Sequence, residues 1–89
     1  MGEVIIVYGS NYYKDITLEV RTQNKNCHDR LCILAGTTIE DYTSFVSVQG
    51  LKLLIGFKDE AALNASRAYL YDVLSDFSGE FEATFWNAL

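Results

Sequence analysis

The chain has 89 residues, 49% of them hydrophobic, with a net charge of −5, two cysteines and no proline. That describes one domain, residues 1–89, with room for a single modest core, and it is too apolar for a disordered segment. No window approaches the roughly 18 continuous apolar residues of a membrane span, and no basic stripe emerges to drive phosphate contacts, so membrane and nucleic-acid partners are both disfavoured.

Taken in order, Met1-Gly2-Glu3 leads directly into an apolar run with no basic segment before it, so no signal peptide is expected. Ile6 stands where a myristoylation signal wants Ser or Thr. The expected location is cytoplasmic. Val4–Tyr8 reads as a strand apolar on both faces, the pattern of the middle of a sheet. Gly9–Lys14 is a loop carrying Tyr12 and Tyr13. Its Tyr8-Gly9-Ser10-Asn11 stretch lacks both the Gly-rich phosphate fingerprint and a following helix. Asp15–Thr22 alternates, which points Ile16, Leu18 and Val20 inward and Thr17, Glu19 and Arg21 outward.

Gln23–Arg30 reads as a polar loop. Cys27-His28-Asp29 followed by Cys32 is the only cluster of metal-ligand types, and it lacks the second paired element a zinc site needs. No metal or cofactor is expected. Cys27 and His28 are placed on the solvent loop, with Cys32 as a small core residue in the next strand. A Cys27–Cys32 disulfide fits the spacing, but the redox poise of a cytosolic compartment opposes it. Leu31–Ala35 is read as that next strand, and Gly36–Asp41 as a turn-rich connection.

Tyr42–Val48 and Leu51–Phe57 flank Gln49-Gly50, which predicts a hairpin with a two-residue turn. That turn sets Val48 opposite Leu51, Val46 opposite Leu53 and Ser44 opposite Ile55. Phe45 and Leu54 then share the other face. Asp59 is a good N-cap for a helix over about 60–77. Leu63, Ser66, Leu70, Val73, Leu74 and Phe77 form its apolar face, and Gly79 is the expected residue just past its end. Asn64-Ala65-Ser66 matches a glycosylation acceptor but falls inside this helix. Glu80–Trp86 closes the chain as a strand, with Phe81, Ala83 and Phe85 on one face and Glu80, Glu82, Thr84 and Trp86 on the other.

The predicted class is α+β. One mostly antiparallel sheet of five to six strands, in the order β-β-β-β-β-α-β, carries one long helix on one face. The other face is left with Ile5, Val7, Cys32, Leu34, Phe45 and Leu54, a patch that a monomer does not usually expose. Self-association through that face or through a free strand edge would cover it, most simply as a symmetric homodimer. Phe45→Glu or Leu54→Glu would then give a folded monomer.

No catalytic constellation is legible. His28, the only histidine, has no orienting partner, and the chain reads as non-enzymatic. Six acids follow Lys58 (Asp59, Glu60, Asp72, Asp76, Glu80, Glu82) against Lys58 itself and Arg67. In size and charge the chain resembles small acidic proteins that act by binding, such as toxin-immunity proteins and phage-encoded inhibitors of host defence. The missing catalytic constellation, the acidic region from the helix to the last strand and the leftover apolar sheet face together predict a non-catalytic protein that occludes a protein partner with a basic surface. Tyr12, Tyr13, Phe45, Leu54, Asp72, Asp76, Glu80, Glu82 and Trp86 are its candidate contacts. The alternative is a small-molecule site, or a minor enzyme, with a pocket between sheet and helix lined by Tyr42, Phe57 and Tyr69 under a Tyr12 or Tyr13 lid.

Overall fold

The structure is a computed structural model that describes residues 2–10 and 13–87; the candidate contact Tyr12 lies outside them. Five strands and two helices follow in the order β1 (Ile6–Gly9), β2 (Ile16–Thr22), α1 (Lys25–Gly36), β3 (Thr43–Gln49), β4 (Lys52–Phe57), α2 (Glu60–Ser75) and β5 (Phe81–Trp86). A single 3₁₀ turn, Glu40–Tyr42, precedes β3. The strands lie side by side as β1-β5-β2-β4-β3. From β2 to β5 this is β-α-β-β-α-β connectivity with antiparallel neighbours, the split βαβ arrangement. β1 adds to its edge parallel to β5, pairing Ile6 with Ala83 and Tyr8 with Phe85. The fold is therefore α+β with one mixed sheet.

Two expectations are corrected here. Leu31–Ala35 is not a strand; it is the second half of α1, which also absorbs most of the expected polar loop. Asn24 starts this helix: its side-chain oxygen accepts from the amides of Asn26 and Cys27, as an N-cap does. Cys27, Leu31 and Ala35 then recur every four residues and are fully buried, while Lys25, Asn26 and Arg30 face solvent. The sheet consequently has a second helix on it. The other correction concerns β1, which occupies an edge rather than the middle. Ile5 and Val7 are 67% and 61% exposed.

The hairpin forms with its turn moved by one residue. Gly50 and Leu51 make the loop and Gln49 pairs with Lys52, so Val48 faces Leu53 and Val46 faces Ile55. Gly50 has φ +63°, the value its place as first loop residue of a type II′ turn demands. The pairing differs from expectation by two residues. Because side chains alternate with period two, every residue from Phe45 to Val48 still points to its expected face. A bulge at Ser44 then brings Thr43 opposite Phe57.

α2 begins at the expected cap: the Asp59 carboxylate accepts from the Ala62 amide at 2.7 Å. It ends at Ser75, two residues earlier than expected, and Gly79 with φ +79° lies in the turn that follows. The segment before β1 runs along this helix end. The Gly2 amide donates to the Ser75 carbonyl, and the Ser78 hydroxyl donates to the Glu3 carbonyl.

Both helices pack on one face of the sheet. Leu18 and Val20 of β2, Leu53, Ile55 and Phe57 of β4, and Ala83 and Phe85 of β5 meet Leu31 of α1 and Leu63, Leu70 and Leu74 of α2 in one buried cluster. Each large side chain removed from water there is worth roughly 1.5–3 kcal/mol. Ile39, placed by sequence in a mere connection, is also fully buried in this core. No described helix is long and apolar enough to cross a membrane.

Candidate functional site: the open sheet face

The face turned away from the helices carries Val7 and Gly9 of β1, Thr17, Glu19 and Arg21 of β2, Phe45 and Ser47 of β3, Lys52, Leu54 and Gly56 of β4, and Glu82, Thr84 and Trp86 of β5. It is neither bare nor uniformly apolar. Cys32 and Leu34, expected on it, belong to α1. Thr17, Glu19 and Leu54, near its middle, are buried at 0%, 8% and 5% exposure. Thr17 and Glu19 were expected to point into solvent. They do leave the helix side, but neighbouring side chains cover them.

Two aromatic rings supply much of that cover, and each lies on a glycine in the adjacent strand. Phe45 is paired with Gly56, where a Cβ would lie 2.2 Å from the Phe45 ring. Trp86 is paired with Gly9, where a Cβ would lie 2.4 Å from the Trp86 ring. A glycine in a strand offers no side chain to pack, and an aromatic neighbour folded over it restores the lost contact. Both rings remain half-buried, with part of their surface open to a partner.

Glu19 connects the two halves of the face. Its Oε1 accepts from the Tyr13 hydroxyl at 3.4 Å and from the Trp86 indole N–H at 3.3 Å. Its Oε2 accepts from Arg21 Nε at 2.8 Å. The charge is thus buried with a cation and two neutral donors around it, the condition under which a buried carboxylate is tolerated. Tyr13 meets Trp86 edge to face, with ring centroids 6.0 Å apart. Asn87, the one described non-glycine with positive φ, donates its side-chain amide to the carbonyls of Tyr13 and Asp15. That ties the loop before β2 to the end of β5.

Tyr13, Phe45, Leu54, Glu82 and Trp86 are thus brought onto one surface. The remaining acids are not. Asp72 is exposed on α2. Asp76 ends that helix and pairs with Arg30 at 2.8 Å. Glu80 precedes β5 and accepts from the Asn24 side chain. Glu19, Arg21, Gly9 and Gly56 were missed as site residues. Gly56 stands inside an apolar run and Gly9 directly after one, but the aromatic partner of each is fixed only by strand order.

An open groove of about 580 Å³ lies at one end of the sheet, lined by Arg21, Thr22, Gln23, Asn24, and Gly79 to Glu82. It is not the site proposed between sheet and helix. Phe57 fills the core there at 1% exposure, and Tyr42 and Tyr69 are exposed on the outside.

Cys27 and His28 are corrected from a solvent loop to the buried side of α1. His28 Nε2 lies 3.5 Å from Cys32 Sγ, while its Nδ1 has no partner among the described residues. Both thiols are free. Burial pushes the Cys27 thiol up, with Glu80 adding to it against the opposing Thr22 contact. Burial and then Asp29 push Cys32 up. A raised thiol pKa is the opposite of what a nucleophile needs. No three His, Cys, Asp or Glu side chains come together among the described residues in a way that could hold a metal.

No protein-family model, curated protein or solved structure matches this chain.

Proposed function

We propose that the chain is a non-catalytic binding protein that occludes a protein partner with the open face of its sheet. The observation that carries this reading is the fixed presentation of Trp86, Tyr13 and Phe45. Each ring is half-exposed and held from beneath, by Glu19 or by a glycine. Aromatic side chains immobilised before binding lose little entropy when a partner arrives, and Tyr and Trp dominate the energetic centres of interfaces. Glu82 stands on the face beside Arg21, so the charge at that end is mixed, and it is the net charge of −5 over the whole chain that favours a partner whose contact surface is basic.

The test is affinity capture from the native host with wild-type protein and with Trp86→Ala and Phe45→Ala. A stoichiometric partner retained by the wild type and lost by both variants supports the reading. A partner retained equally by all of them moves the binding surface elsewhere, and no stoichiometric partner at either low or moderate salt counts against occlusion altogether.

A further inference from the structure

A separate surface lies at the β3 edge of the sheet. Among the described residues β3 has no strand on its outer side, and from Thr43 to Gln49 it contains no charged residue and no proline, the devices by which edge strands are normally blunted. Its bulge at Ser44 disturbs only its first residues and leaves Phe45–Gln49 regular.

The turn fixes which backbone groups of this stretch are free. In a hairpin closed by a two-residue loop, the closing pair exchanges its hydrogen bonds and pairs alternate from there. Gln49, Ser47 and Phe45 therefore bond inward to Lys52, Leu54 and Gly56. Val46 and Val48 turn their amides and carbonyls outward. These are also the residues whose side chains stand exposed on the helix side of the edge, at 43% and 54%. Unpaired backbone and uncovered apolar surface coincide at the same two positions.

Charge selects the occupant and its direction. Glu40 and Asp41 precede β3, and Asp59 and Glu60 sit beside them where the Lys58 amide donates to the Tyr42 carbonyl. The turn end instead carries Lys52, one strand in from the edge; Arg21, across the ladder from it, is already held by Glu19. An antiparallel second copy sets the acidic end of one edge against the Lys52 end of the other, whereas a parallel copy would stack acid on acid.

We propose that β3 pairs with β3 of a second copy, antiparallel and two-fold symmetric about Ser47, so that the two sheets become one. Val46 of each copy faces Val48 of the other, and each pair exchanges both backbone hydrogen bonds. The valines of both copies form one apolar strip on the helix side. Phe45 faces Gln49 on the open side, and the aromatic surface around Trp86 stays free.

Sedimentation velocity from micromolar to submillimolar protein, together with amide hydrogen exchange, tests this. The wild type should sediment at twice the 10.0 kDa chain mass, with Val46 and Val48 amides protected as concentration rises. Val46→Lys combined with Val48→Lys places lysine opposite lysine and should weaken the dimer at least about tenfold, with exchange in β2 and β4 unchanged. If the lysine variant does not fold, the wild-type exchange decides: protection of Val46 and Val48 that grows with concentration supports the pairing. Free exchange of those amides, a monomer at every concentration, or a dimer abolished by Trp86→Ala and kept by the folded lysine variant overturns it.

Discussion

Removing the Glu19 carboxylate would cut three contacts at once: those from Tyr13, Arg21 and Trp86. A hydrogen bond to a charged group contributes about 1.5–3 kcal/mol, and less where, as at the exposed Arg21 head, water replaces it. Glu19→Ala should therefore lower the urea midpoint by an amount equivalent to about 2 kcal/mol. Trp86 is the only tryptophan, so its emission should shift to longer wavelength in the folded variant as its anchor is lost. At Gly9 the close approach of the Trp86 ring leaves no room for a methyl group, and Gly9→Ala should produce the same emission change with Glu19 intact. The thiols give a pH-dependent outcome. Both are raised by burial in the folded protein, so the unfolded chain releases these protons first. Their contribution is intact below the ordinary thiol pKa of about 8.5 and is lost as the pH rises through the higher folded values. The urea midpoint should fall across that alkaline range, and less steeply in Cys27→Ala. Alkylation of the native protein at neutral pH should be slow at Cys32 and slower at the buried Cys27.

Among the elements, α1 separates the two descriptions of the chain most sharply. If residues 24–30 formed a solvent loop, Asn24→Ala would be silent. As an N-cap accepting two amides, its loss should cost about 0.5–2 kcal/mol, measured by urea denaturation. The same change at Asp59, a cap legible from sequence, should cost a similar amount and serves as the reference. The hairpin, α2 and the strands β2 and β5 were legible because each carries one clear period, with a glycine marking the hairpin turn and the approach to β5 and Asp59 marking the start of α2. α1 was not, because Leu31–Ala35 is apolar at every position and so carries no period, while the first turn is polar. The i, i+4, i+8 series Cys27, Leu31, Ala35 spans both stretches and shows only when they are joined. β1 was misplaced for a related reason: an all-apolar run fits a central strand, and which strand it pairs with depends on contacts far away in sequence. Of the candidate contacts, those on β3, β4 and β5 lie on the expected face because alternation fixes which face a side chain takes. The buried Glu19 was missed because alternation cannot say what covers a face.

At the scale of the whole molecule, the acidic chain and its open face predict a rate signature. Added salt should slow association with a basic partner, since screening weakens steering beyond about 8–10 Å. Dissociation, governed by the desolvated aromatic contacts, should change much less; surface plasmon resonance at several ionic strengths separates the two. The sheet order has another consequence, in the life of the chain as it is made. Of the described strands β1 is synthesised before the others, and β5, its neighbour in the sheet among the described residues, after them. Until Phe81–Trp86 emerges, Ile6 and Tyr8 have no strand to join, and Ile5 and Val7, exposed even in the complete fold, stand beside them. The remaining strands β2, β3 and β4 can already assemble under α1 and α2, so the nascent protein passes through a stage with a helical layer over three strands and a loose apolar N-terminal segment. Such unpaired strands are where aggregation begins during folding. A chain ending before Phe81 and held clear of the ribosome by an added linker should accordingly be cut by protease within residues 4–10, and extension through Trp86 should close that site.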